Sequence, residues 1–169
     1  MTIMTLDQIK AYLPHRYPFL FIDAVDEVVL GESIRARKAV TGNEGFFNGH
    51  FPGNPVLPGV LQIEAMGQAG ALLAILSGAK VDADNFVYVT SISDCKFRRP
   101  IVPGDVMTLS AKVIRTRLGA WRLGCETHVG DDLASTATVT ATSGPRPRTP
   151  SVPGTWPRPM FGDVSEDVK

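Results

Sequence analysis

Leu57-Pro58-Gly59-Val60-Leu61-Gln62-Ile63-Glu64-Ala65-Met66-Gly67-Gln68-Ala69-Gly70-Ala71-Leu72-Leu73-Ala74-Ile75-Leu76-Ser77-Gly78 is the stretch whose reading decides the fold. Proline is well tolerated in a first helical turn and glycine suits a helix stop, so the pattern predicts one long helix from Leu57 or Pro58 to about Ser77. Its apolar residues Val60, Leu61, Ile63, Met66, Leu72, Leu73, Ile75 and Leu76 cover more than one stripe, with alanines and glycines between them. A helix that is apolar all round is a buried helix, and the rest of the chain has to wrap it. Gln62, Glu64 and Gln68 interrupt the run, so it does not read as a membrane span.

The wrapping is predicted to be strands. Asn85 to Ser93, Asp94 to Phe97, Asp105 to Arg117, Ala120 to Val129 and Leu133 to Thr142 are rich in Val, Thr, Ile, Tyr and Phe, and short Gly- or Asp-containing turns separate several of them. On the N-terminal side, Tyr17 to Val29 reads as a first strand and Glu32 to Val40 as a second, with Gly31 in the turn between them. Thr5 to Leu13 is predicted to be a short helix stopped by Pro14. Two strands, one central helix and a run of strands give an α+β fold with an antiparallel sheet curved around one helix.

With 169 residues there is room for one domain with a sizeable core. Residues 1–142 form that domain in this reading. From Ser143 the prolines at 145, 147, 150, 153, 157 and 159 rule out regular helix or central strand, so residues 143–169 are expected to be an extended tail. Trp156, Met160 and Phe161 would let the tail dock on a surface; a disordered appendage is the plainer alternative.

The formal net charge is zero, so nothing global calls for nucleic acid or an acidic membrane. No basic run followed by an apolar core opens the chain, and only Cys95 and Cys125 are present. A soluble protein of a reducing cytoplasm, without disulfides or membrane insertion, is therefore expected.

The loop before the long helix carries the candidate chemistry. His50 lies among Pro52, Pro55 and Pro58, which stiffen the backbone, while Gly49 and Gly53 let it turn. A general base has to be held within hydrogen-bond reach of the proton it takes, and this loop has the stiffness for that. Glu64, on an otherwise apolar helix, has to be paired or held neutral, and a neutral carboxyl can donate a proton. Gln68 stands one turn further on the same face and can orient Glu64. The N–H of Gly59, at the electropositive start of the helix, can polarise a carbonyl. A base, an acid and an oxyanion donor together fit abstraction of a proton beside a thioester carbonyl.

Other chemistries find less support. His15, His50 and His128 are scattered, so no metal site is expected. The phosphate-cradle, dinucleotide and nucleophile-elbow patterns are absent. Lys96, Arg98 and Arg99, with Arg115, Arg117 and Arg122 on later strands, would attract an acidic partner if they converge, or form a solvated strand face if they do not.

Five stretches now stand together: Leu13-Pro14-His15-Arg16-Tyr17-Pro18-Phe19-Leu20, Asn43-Glu44 through Gly49-His50-Phe51-Pro52, Pro58-Gly59-Val60-Leu61, Ile63-Glu64-Ala65-Met66 with Gln68-Ala69, and Lys96-Phe97-Arg98-Arg99-Pro100 with Val102-Pro103-Gly104-Asp105. In this order the chain resembles the (3R)-hydroxyacyl-[acyl-carrier-protein] dehydratases of the FabZ type, from about Leu6 to Ala141. The resemblance implies a hotdog fold, homodimers assembled three at a time into a hexamer, and active sites at the dimer interface. It implies that His50 faces Glu64 of the other subunit, that Phe51 lines the site, and that Tyr88 gates an acyl tunnel. It implies a substrate carried on the phosphopantetheine of acyl carrier protein, received by Lys96, Arg98 and Arg99, with no metal or redox cofactor. His15 is expected to be structural. Gly67 departs from the alanine more usual there, and the proline-rich tail has no counterpart in compact members. Glu64 argues against the related FabA-type isomerases, which carry aspartate at the acidic position. Two rival readings are a hotdog thioesterase and a non-catalytic acyl-binding or scaffold protein.

Overall fold

The computed structural model describes residues 2–82 and 84–145. Its elements are α1 (Leu6–Tyr12), β1 (Ala24–Val29), β2 (Ser33–Ala39), a 3-10 turn (Gly45–Asn48), α2 (Gly59–Leu76), β3 (Asn85–Phe97), β4 (Val106–Arg117), β5 (Ala120–Val129) and β6 (Asp132–Pro145). The six strands form one antiparallel sheet in the order β1-β2-β4-β5-β6-β3, and α2 packs against its inner face. This is the sheet-around-a-helix architecture expected from the long apolar stretch.

Alternation on the strands supplies the other half of the core. Met107, Leu109 and Ala111 of β4, Leu123 and Cys125 of β5, and Ala137, Val139 and Ala141 of β6 point inward. Met66, Leu72 and Leu73 of α2 meet them and are wholly buried. Gly70 sets how closely helix and sheet approach, because a Cβ there would lie 2.5 Å from Leu123 Cδ1. The helix is long and apolar enough to cross a membrane by composition, yet two thirds of it lies inside this fold. Pro58 is its N-cap, and Gly78 ends it at φ +99°. At the other terminus Thr5 caps α1, its N–H donating to Gln8 Oε1 at 2.8 Å.

Three expectations change. The first strand covers only Ala24–Val29, not Tyr17 to Val29. Phe19 C=O and Phe21 N–H are bonded to the side chain of Gln68, so they are not free to join a ladder, and Pro18 has no N–H to offer. Asn85–Ser93 and Asp94–Phe97 are one strand, kinked where Asp94 takes φ +55° and the register with β6 shifts between Ser93 and Lys96. Finally, β6 runs to Pro145, so Ser143, Gly144 and Pro145 pair with β3 instead of opening the tail. Of the predicted tail, residues 146–169, with Trp156, Met160 and Phe161, lie outside the described residues.

Strand β3 is an edge of the sheet, and from Thr90 to Phe97 it is exposed. Apolar residues sit along that edge: Ile92 is 50% exposed, Phe97 52%, and Val60 on the first turn of α2 73%.

Candidate active site

The His50 loop is built by its own backbone. His50 N–H donates to Phe46 C=O at 2.9 Å, and Val56 N–H returns to His50 C=O at 3.0 Å. Gly53 takes φ +75°, which glycine adopts without strain. Leu57 N–H donates to Ile101 C=O at 2.7 Å and fixes the loop to the segment before β4. His50 Nδ1 lies 2.7 Å from Val56 C=O. A carbonyl only accepts, so Nδ1 carries the hydrogen and Nε2 keeps its lone pair. The imidazole is thus held in the tautomer that works as a base.

Glu64 sits in the second turn of α2. Gln68 Nε2 donates to Glu64 Oε1 at 2.9 Å and to Phe19 C=O at 2.8 Å, and Gln68 Oε1 accepts from Phe21 N–H at 2.8 Å. The glutamine is buried and has three partners, so it orients the carboxyl rigidly. A second group, not foreseen in this role, reaches the same oxygen: His15 Nε2 is 3.5 Å from Glu64 Oε1. Burial pushes the His15 imidazole below the ordinary histidine range; Glu64 opposes that shift and Arg16 adds to it. The only sequence signal for His15 was its place in the Leu13–Leu20 motif.

Beside Glu64 opens a recess of about 370 Å³ lined by Val60, Ile63, Glu64, Val89, Ile92, Cys95, Phe97 and Val139. One carboxylate in an apolar wall is the environment that an acyl chain with a polar reacting end requires. The start of α2 forms its rim. Among the described residues Gly59 N–H has no hydrogen-bond partner, and Pro58 supplies no side-chain cap. Phe97 covers the glycine closely, since a Cβ at Gly59 would stand 2.9 Å from the ring. Phe97 therefore closes one side of Gly59, and the absence of a Cβ on the glycine is the reason the ring fits.

His50 does not contact Glu64 within the chain among the described residues, and it is not part of the recess wall. Phe51 stacks on His50 with ring centroids 4.0 Å apart, and half of it is exposed. Tyr88 is not in the wall either: its hydroxyl donates to Pro145 C=O at 3.0 Å, at the far end of β6, because it alternates with Val89 on the strand. Lys96 and Arg98 do lie together, in a recess of about 560 Å³ on another part of the sheet with Asp94, Lys112 and Glu126. Arg99 leaves that group. It pairs with Asp105 at 3.1 Å and Asp132 at 3.4 Å, tying the loop before β4 to the first residue of β6. Arg115, Arg117 and Arg122 form a separate patch at the far end of β4 and β5.

Comparisons with known proteins show the family and the fold of this chain. The model of the FabA-like domain matches residues 13–138. A 3-hydroxyacyl-[acyl-carrier-protein] dehydratase FabZ of Variovorax paradoxus is 49% identical over 142 residues, 82% of this chain and 95% of that protein. The protein of the same name from Lactiplantibacillus plantarum is 46% identical, covering 83% of this chain and 94% of the relative. Among solved structures, a dehydratase heterocomplex from Xenorhabdus doucetiae superposes with a TM-score of 0.67 at 16% identity, over 80% of this chain and 90% of the other. A mutant thioesterase from Pseudomonas aeruginosa gives 0.63 at 16%, over 85% and 96%. At such identities these two likenesses show the hotdog fold alone.

Proposed function

The chain belongs to the FabA-like family, and on that footing we propose how it works as a 3-hydroxyacyl-[acyl-carrier-protein] dehydratase of fatty acid biosynthesis, a hydro-lyase turning a (3R)-3-hydroxyacyl thioester into the trans-2-enoyl thioester. The observation that carries the proposal is the apolar recess with a single oriented carboxyl, Glu64, at the free N-terminus of α2.

The thioester carbonyl lies at the start of α2, where Gly59 N–H and the helix dipole take up negative charge as it develops; such a donor is worth about 3–4 kcal/mol of barrier. His50 Nε2 removes the α-proton, and the C–H electron pair becomes the new double bond. The β C–O bond breaks, and Glu64 in its acid form gives its proton to the departing hydroxyl, which leaves as water. Solvent then carries the proton from His50 back to Glu64. No electrons are gained or lost, so no redox cofactor is needed, and in this reading His50, Glu64 and the Gly59 N–H supply the proton transfers and charge stabilisation without a metal.

Glu64 and His50 belong to different subunits in this reading. The support is that the recess carries the acid without the base, and that its rim continues into the exposed apolar edge of β3. A second copy laid along β3 would cover Ile92, Phe97 and Val60 and bring its own His50 loop to the recess. Three such dimers make the hexamer that the family resemblance implies. Acyl carrier protein delivers the substrate on phosphopantetheine, and Lys96 and Arg98 are the basic residues left to receive it. The free thiols of Cys95 and Cys125 fit a cytoplasmic setting.

The test is absorbance at the enoyl thioester band on adding purified protein to a 3-hydroxyacyl thioester, with hydration of the enoyl compound as the reverse reaction. Signal in both directions is expected. Silence in both overturns the reading, and release of free thiol without enoyl product would assign a thioesterase instead.

A further inference from the structure

We propose that His15 is a positioning residue for the acid: it holds Glu64 Oε1 so that the proton to be delivered stands on Oε2, toward the recess. The inference rests on the reading of Glu64 as the acid given above.

Glu64 has two carboxyl oxygens in unlike surroundings. Oε1 receives Gln68 Nε2 at 2.9 Å and faces His15 Nε2 at 3.5 Å. Oε2 has no partner among the described residues, while Glu64 itself lines the recess. An oxygen turned toward two N–H groups cannot also direct a hydrogen at them, so the acid's hydrogen belongs to Oε2.

This requires His15 to present an N–H at Nε2, and its burial selects that tautomer. Nδ1 is buried and has no partner among the described residues. With the hydrogen on Nε2, Nδ1 keeps only a lone pair. With the hydrogen on Nδ1, or on both nitrogens, a buried N–H would lack an acceptor, the costlier arrangement. The charged groups facing His15 are Glu64 on α2 and Arg16 on its own loop; burial and Arg16 both favour the neutral ring.

The position of His15 is itself fixed. Arg16 Nη1 donates to Leu13 C=O and His15 C=O, each at 2.8 Å, and Nη2 donates to Lys10 C=O at 3.1 Å, clamping the loop onto the end of α1. On the other side of the loop Gln68 holds Phe19 and Phe21. Gln68, which donates to Oε1, and His15, which faces it, thus belong to one braced unit of loop and helix. The separation of 3.5 Å is longer than a hydrogen bond, and catalytic contacts of this kind tighten when substrate fills the site.

The experiment is steady-state kinetics on the full chain carrying H15F or H15Q, with melting temperatures measured alongside. Phenylalanine keeps the ring and loses the donor; glutamine reaches Oε1 with an amide N–H. Expected for H15F is a kcat lower by about tenfold to a hundredfold with KM changed by less than about twofold, and for H15Q a kcat within about threefold of wild type. If H15F does not fold, H15N replaces it, its amide being too short to reach Glu64. Equal activity of H15F and wild type overturns the inference, as does an equal loss in H15F and H15Q that follows their melting temperatures. A wild-type protein that forms no enoyl product overturns the dehydratase reading itself, and this inference with it.

Discussion

Gln68 and Glu64 are joined by a 2.9 Å hydrogen bond, one turn apart on α2, and the same buried glutamine ties Phe19 and Phe21 to the helix. A single side chain therefore orients the candidate acid and anchors the loop that carries His15. Q68L keeps a side chain of comparable size and removes every one of these bonds. Stranding the Phe21 N–H and the Phe19 C=O costs about 1–3 kcal/mol each. The urea midpoint of Q68L should fall accordingly, and kcat of the folded protein should drop about a hundredfold because the carboxyl loses its aim. Unchanged turnover would separate Gln68 from the acid.

Two glycines three residues apart on α2 should answer differently to alanine. A Cβ at Gly70 meets Leu123 Cδ1 at 2.5 Å, and Leu123 is wholly buried, so neither element can yield cheaply. G70A should destabilise by about 1–3 kcal/mol. At Gly67 the nearest atom is Val89 Cγ2 at 3.4 Å, an ordinary contact. G67A should be neutral or stabilise by up to about 1 kcal/mol through helix propensity. Thermal melts of the two variants against wild type decide the matter.

Arg99 gives a pH-dependent prediction. Burial works to raise the Asp105 pKa, but the bonds from Arg99 and from Val102 N–H outweigh it, so the folded value lies below the ordinary 3.8. A depressed carboxylate contributes stability that is fully present above the unfolded value and is lost as pH falls through the folded one. D105N should thus be less stable than wild type at pH 7, and the gap should narrow as pH drops below the ordinary aspartate range. Urea midpoints across that window measure it; a gap that stays constant contradicts the assignment.

Much of the fold was legible because it is local. Pro58 and Gly78 bracket α2, and runs rich in β-branched and aromatic residues between short Gly- or Asp-containing turns mark β4, β5 and β6. The misread segments depend on partners far along the chain. Tyr17 to Phe21 has strand-like residues, but its backbone groups are taken by Gln68, 47 positions away from Phe21. Similarly, Asp105 and Asp132 remove Arg99 from the basic trio. His50 and Glu64 could be picked from residue type and setting, whereas the approach of His15 to Glu64 could not, since nothing in the spacing from 15 to 64 encodes it.

The central claim, that base and acid of one site come from two chains, is tested by mixing H50A and E64A proteins after subunit exchange. Each variant alone should lose about a hundredfold to ten-thousandfold in rate. With random exchange half of the dimers are mixed and one of their two sites is intact, so dehydratase activity should return to roughly a quarter of wild type. A mixture that exchanges subunits yet stays as inactive as its components would contradict the account.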